Sequence, residues 1–171
     1  MFKNNSLYLV VLVSITSVIL FFISGCTKDD ICPEGSPTTP KTIILFRDKA
    51  NITAVKAVPN LRISLTNIEP TELLFSASGD TLVAIPLSPD LSEIQLAMTT
   101  NFSNAPNTDY MTITYSKRQD VYINRACSFT TTFDLLDASR PDEGSANWIS
   151  NIVITNSAVV NEDVTHITIF H

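Results

Sequence analysis

Few residues of this chain are of types that perform chemistry unaided. It holds three cysteines (Cys26, Cys32, Cys127) and two histidines (His166, His171). The histidines stand five positions apart in a stretch of strand character, so they point to opposite faces. Either one can ligate a metal, but no further ligand stands at a suitable spacing. Both therefore read as structural or solvated side chains, His171 at a terminus of the kind that is often mobile, and no metal is expected. The acids come in pairs, Asp134/Asp137, Asp142/Glu143 and Glu162/Asp163, each beside a predicted turn where Asp bonds to local backbone. None has the glycine-punctuated spacing of a calcium loop. A glycosidase pair needs two carboxylates that meet across the fold, which spacing along the chain does not establish.

The familiar catalytic signatures are absent. There is no G-x-S-x-G elbow, H-E-x-x-H helix, P-loop or G-x-G-x-x-G. Neither Cys32 nor Cys127 has a histidine beside it in a nucleophile motif. The reading is a non-enzymatic protein with no cofactor. Two side chains remain as candidates for ligand binding. Arg125 shares its parity with Val121, Ile123, Cys127 and Phe129. If that face is inward, the guanidinium is buried and needs a carboxylate or carbonyl partner. An anion-recognising cleft is the functional reading; an outward bulge or a structural ion pair is the plainer one. Trp148, with Tyr110, Tyr115 and Tyr122, forms either a sugar-stacking platform or ordinary core and surface stock. Arg47-Asp48 reads as a strand end entering a turn.

Cys26 has a more specific setting. Met1–Ser6 is polar with one charge, Lys3, and Leu7–Ile23 is an uncharged apolar run broken only by Ser14, Thr16 and Ser17. Then follows Ile23-Ser24-Gly25-Cys26. A charged start, an apolar core and a small-residue exit form the plan of a secretory signal peptide. The run of 17 residues is at the short edge of what spans a bilayer, so an uncleaved membrane helix is the alternative. The I-S-G-C tetrapeptide resembles the bacterial lipobox, in which cleavage precedes a cysteine that is lipidated. Residues 1–25 thus read as a signal peptide and Cys26 as the lipid attachment site. Each buried acyl methylene is worth about 0.8 kcal/mol, and two or more chains hold firmly where one binds only marginally. Just behind, Lys28-Asp29-Asp30 resembles the surface-export signal of Bacteroidota lipoproteins; the alternative is a solvated charge cluster. The expected location is the outer membrane facing the cell exterior, with the periplasmic face as the alternative.

Removing the first 25 of 171 residues leaves 146, a length that suits one domain. The positive mean hydropathy comes partly from the leader. Lys3 is the only charge lost, so the net charge moves from −6 to −7. An acidic chain without a Lys/Arg run makes nucleic acid a poor partner. With Cys26 assigned to lipid, Cys32 and Cys127 remain in an oxidising compartment, where they either pair or stay reduced. A bridge would pin the tether to the domain and close a loop of roughly 100 residues, worth up to about 4–5 kcal/mol in the chain-entropy model.

Residues 26–40 form the lipidated N-terminus and a linker rich in Pro, Thr, Ser and charge. From Lys41 to His171 the pattern is short β-like runs between turn residues. Thr42–Phe46 is continuously apolar, as for a strand covered on both faces. Leu61-Ile63-Leu65, Ile94-Leu96-Met98 and Met111-Ile113-Tyr115 alternate with polar residues, so one face packs and the other is wet. Leu73–Ser76 and Thr81–Leu87 flank Ser78-Gly79-Asp80, a predicted hairpin turn. Lys117–Asp120 is a predicted turn leading into a strand over Val121–Phe129. Trp148–Thr155 and Val164–Phe170 complete the set. No window carries a 3.6-residue stripe, and four glycines are too few for a Gly-rich solenoid. Eight or nine short strands imply an all-β, antiparallel β-sandwich.

Three segments, YSKRQDVYINRACSF (Tyr115–Phe129), NWISNIVITN (Asn147–Asn156) and NEDVTHITIFH (Asn161–His171), together with the lipobox and Cys32, resemble a family of Bacteroidota lipoproteins known only as a domain of unknown function. The resemblance implies a small β-rich lipoprotein and supplies no catalytic or ligand residue. It also implies a recurring pair of cysteines, which fits a Cys32–Cys127 bridge. The expected protein is therefore a membrane-attached binding or envelope-structural module with an envelope protein or glycan as partner. A carbohydrate- or peptide-binding accessory of a surface uptake system is the first alternative, and a hydrolase without a recognisable motif the second.

Overall fold

The computed structural model describes Ser14, residues 31–67 and residues 71–171. The expected signal peptide apart from Ser14, the expected lipid attachment site Cys26 and the Lys28-Asp29-Asp30 cluster lie outside the described residues. Among the described residues no helix is long and apolar enough to cross a membrane.

The chain is all-β. The ten strands among the described residues are β1 (Thr42–Arg47), β2 (Leu61–Leu65), β3 (Glu72–Ala77), β4 (Leu82–Ile85), β5 (Glu93–Thr100), β6 (Asn107–Asn124), β7 (Ser128–Ser139), β8 (Asn151–Ile154), β9 (Ala158–Val159) and β10 (Ile167–Phe170). They form two sheets, a four-stranded one in the order β4-β1-β10-β8 and a six-stranded one in the order β3-β2-β5-β6-β7-β9. Period-two alternation built the core as expected. In β5, Ile94, Leu96 and Met98 are buried, and in β6 so are Met111, Ile113 and Tyr115. These meet Ile44, Phe46, Ile167 and Ile169 of the four-stranded sheet in one apolar cluster. The Tyr115 hydroxyl is satisfied by the Ser88 carbonyl at 3.1 Å, and its ring meets Phe133 edge-on at 5.4 Å. The apolar run of β1 has its explanation too: β1 is an inner strand, flanked by β4 and β10.

Four local expectations are corrected. First, the sheets are antiparallel except for β1 and β10, which pair in parallel, Ile44 beside Ile167. Pairing between the two ends of a domain leaves no trace in local pattern. Second, Ser78-Gly79-Asp80 is not a hairpin turn: β3 edges the six-stranded sheet and β4 the four-stranded one. Gly79 takes a φ of +94°, so the turn chemistry is present, but it carries the chain between sheets. Third, Lys117–Asp120 does not turn. β6 runs through it, because β7 supplies partners for its charges. Arg118 pairs with Asp134 at 2.9 Å and Asp120 accepts from the Thr131 hydroxyl at 2.7 Å. Fourth, Asp134 and Asp137 lie within β7 rather than beside a turn.

The reversal falls at Arg125–Cys127. The Asn124 side-chain oxygen accepts the backbone N–H groups of Ala126 (2.9 Å) and Cys127 (2.7 Å), an Asx turn that ends β6. The described residues fall into two compact units. The larger, Thr38–Val121 with Phe129–His171, contains the core. It includes Thr39, whose hydroxyl accepts the Thr131 N–H at 3.1 Å, and the buried Pro40. The described part of the smaller unit includes residues 31–37 and Tyr122–Ser128.

Candidate functional site

The chain between β7 and β8 is fixed by side chains rather than by sheet. Asp142 accepts the Gly144 N–H at 3.0 Å, opening a single 3-10 turn over Gly144–Ala146. The Asn147 side-chain oxygen accepts the Glu143 N–H at 2.7 Å. Asn107 donates to the Ala146 carbonyl at 2.9 Å, and the Trp148 indole N–H to the Met98 carbonyl at 2.9 Å. The Ile149 N–H is accepted by the buried carboxylate of Asp109 at 2.8 Å. These bonds make a rigid loop out of a segment with one short helical turn.

Arg140 braces this loop from within. Its guanidinium donates to Asn147 Oδ1 at 2.6 Å, to the Pro141 carbonyl at 2.9 Å and to the Ser150 carbonyl at 3.4 Å. The Asp142 carboxylate is 3.9 Å away and 87% exposed, while the Arg140 side chain is only 17% exposed. So exposed an ion pair is worth little. Three neutral oxygens orient the cation and leave its charge largely uncompensated. Beside it lies a cleft of about 290 Å³ lined by Ser139, Arg140, Asp142, Ser150 and Asn151 among others. A second hollow of about 320 Å³ shares Ser150 and Asn151 and reaches Lys49, Ile52 and Val153. Both follow β8, the edge strand of its sheet. A polar cleft with an oriented arginine and the Asn151 amide suits a carboxylate or a hydroxyl-rich ligand, while Lys49 belongs to the second, more apolar hollow.

The two histidines are structural. His166 is fully buried and its Nδ1 accepts the Ile43 N–H at 2.9 Å, which puts the proton on Nε2. Burial lowers its pKa, against the Ala158 carbonyl and the charge of Glu162, which favour the protonated ring. His171 meets Trp148 edge-on at 5.7 Å and Phe46 at 6.2 Å. Its backbone carbonyl accepts from Lys49 N–H and the Lys56 ammonium, so this residue is held rather than loose. Burial lowers its pKa as well, opposed by the Lys56 carbonyl. Among the described residues no group of three His, Cys, Asp or Glu side chains can hold a metal ion.

The sequence candidates that fall among the described residues each have a definite place. Cys32 and Cys127 form a disulfide, with Cα atoms 4.8 Å apart across a separation of 95 residues. Arg125 is exposed in the hairpin turn of the smaller unit, so the inward face is excluded. The outward position, the plainer of the two readings, follows because β6 ends at Asn124. Trp148, in the larger unit, is half-buried against the core with its indole N–H taken. Tyr115 is buried in the core, so it belongs to no platform. Two residues that build the candidate site were missed. Asp109 shares parity with Met111, Ile113 and Tyr115, a signal that was there to be read. Arg140 follows a strand end beside Pro141, where nothing in its spacing marks it.

Residues 60–171 match the model of a family of unknown function (DUF6452). The matched span begins one residue before β2 and contains Cys127 and the Arg140 cleft, while Cys26 and Cys32 precede it. No curated protein and no solved structure matches the chain.

Proposed function

The chain belongs to this family, DUF6452, and from its N-terminal sequence we propose that it is a Bacteroidota outer-membrane lipoprotein, displayed on the cell surface through acylated Cys26. In this reading the β-sandwich is a non-enzymatic binding or envelope-structural module. One observation carries the anchor: Ile23-Ser24-Gly25-Cys26 directly follows an uncharged apolar run of signal-peptide length. The Cys32–Cys127 disulfide supports export, because such bridges persist in oxidising compartments. Lys28-Asp29-Asp30 supports the outward face.

The Arg140 cleft favours binding as the role of the sandwich, with an acidic glycan or a carboxylate-bearing peptide as the ligand chemistry. Trp148 is half-buried against the core with its indole N–H engaged, and it does not line the Arg140 cleft. The reading is tested by protease treatment of intact cells followed by fractionation. Wild type is expected in the membrane fraction and to be degraded from outside. A variant with Lys28, Asp29 and Asp30 replaced by alanine is expected to stay in membranes yet be spared. A wild type that survives the protease, with periplasmic marker proteins intact, overturns surface display. Wild type and Cys26→Ala both in the soluble fraction overturn the anchor.

A further inference from the structure

The disulfide joins two points that the sequence places at very different distances from Cys26. Six residue steps separate Cys26 from Cys32, a reach of at most about 20 Å for extended chain. The bridge adds a Cα–Cα distance of 4.8 Å to Cys127. The turn at Arg125–Cys127 thus stands within about 25 Å of the acylated residue. Without the bridge the first residue fixed to the sandwich by a side-chain bond is Thr39. That is thirteen steps from Cys26, a reach of about 45 Å. Oxidation therefore shortens the tether by about half and moves its attachment from the start of the sandwich to the tip of the β6–β7 hairpin.

The tip has the side chains of an interfacial contact. Tyr122 is 58% exposed and Ile31, next to Cys32, is 76% exposed. Tyrosine is suited to a membrane–water interface because it joins an apolar ring to a polar end. The Asx turn at Asn124 and the disulfide together hold this tip in one conformation, so little ordering remains to oppose docking.

We propose that the Cys32–Cys127 bridge clamps the β6–β7 hairpin tip against the bilayer that carries the lipid anchor, with Tyr122 and Ile31 seated in the headgroup layer. The occupant of this surface is the lipid itself. The inference rests on acylation of Cys26. Two side chains bind lipid weakly, so docking depends on the high local concentration that a short tether provides.

The test uses the mature acylated protein in vesicles containing brominated lipids. Tyr122→Trp is made in a Trp148→Phe background, so that one tryptophan reports. Strong quenching of the Trp at 122 is expected. Six Gly/Ser residues inserted between Asp30 and Ile31 leave the disulfide intact and are expected to abolish most of that quenching. Cys32→Ser/Cys127→Ser is expected to do the same, and the insertion covers the case in which this pair fails to fold. Acylated protein that floats with vesicles but shows no quenching overturns the clamp and leaves the anchor standing. Quenching unchanged by the insertion overturns the role of tether length. Protein that carries no acyl chain overturns the anchor itself, and the clamp with it.

Discussion

A buried histidine with one ring nitrogen committed to the backbone makes stability depend on pH. His166 accepts from Ile43 through Nδ1 and has its pKa lowered from the ordinary 6.5, chiefly by burial. The folded state keeps the ring neutral while the unfolded chain takes up a proton below about pH 6.5. Stability is therefore complete above that value and falls as the pH drops through it. His171 acts in the same direction. Asp48 and Asp120 are held below the ordinary carboxylate value, by the Ala50 N–H and the Thr131 hydroxyl respectively. Their contributions are present above the unfolded value and vanish only at much lower pH. The denaturation midpoint is expected to fall between about pH 7 and about pH 5. His166→Phe strands the Ile43 N–H and is expected to lose about 1–3 kcal/mol at neutral pH. It is also expected to flatten the pH profile; profiles that stay parallel would show that His166 is not the cause. At this scale the sequence was partly legible. Counting cysteines pointed to Cys32 and Cys127, and parity would have found Asp109. Parity alone did not place Arg125, because the Asx turn ends the strand before it.

The β6–β7 hairpin is the element on which the organisation turns. Its charged middle looked like a loop, yet the Arg118–Asp134 and Asp120–Thr131 contacts make it sheet. Such cross-strand pairing involves residues 11 to 16 positions apart, beyond the range of turn signals. At its tip Cys127 takes the bond from Cys32. Closing a loop of this length removes freedom from the unfolded chain, worth about 4–5 kcal/mol in the chain-entropy model. Cys32→Ser/Cys127→Ser is expected to lower unfolding free energy by about that amount in denaturant melts. A loss below about 0.5 kcal/mol, the range of an ordinary surface substitution, would mean that the bridge does not constrain the unfolded chain. The strands themselves were legible because alternation survives burial over Leu61–Ile63 of β2, Glu93–Met98 of β5 and Asp109–Tyr115 of β6. The β3–β4 connection and the parallel β1–β10 pair were not, since sheet membership and pairing of distant strands are set by packing.

Over the whole molecule, address and architecture come from different parts of the chain. Residues 60–171 carry the family match and most of the sandwich. The leader, Cys26 and Lys28-Asp29-Asp30 carry the proposed location. The fold class was legible from period-two patterning and from the lack of any helical stripe. The Arg140 cleft was not, because it is assembled from a strand end, a loop and an edge strand whose convergence is tertiary. The bridge from Cys32 adds a second covalent link, beside the main chain, between the N-terminal segment and residues 60–171. The proposed location begins at Cys26. Intact mass of the protein extracted from membranes, measured without reductant, tests it most directly. The expected species starts at Cys26, carries two or more acyl chains, and lacks the two hydrogens of the Cys32–Cys127 bond. A chain that retains Met1, or one that is cleaved but bears no lipid, would contradict the account.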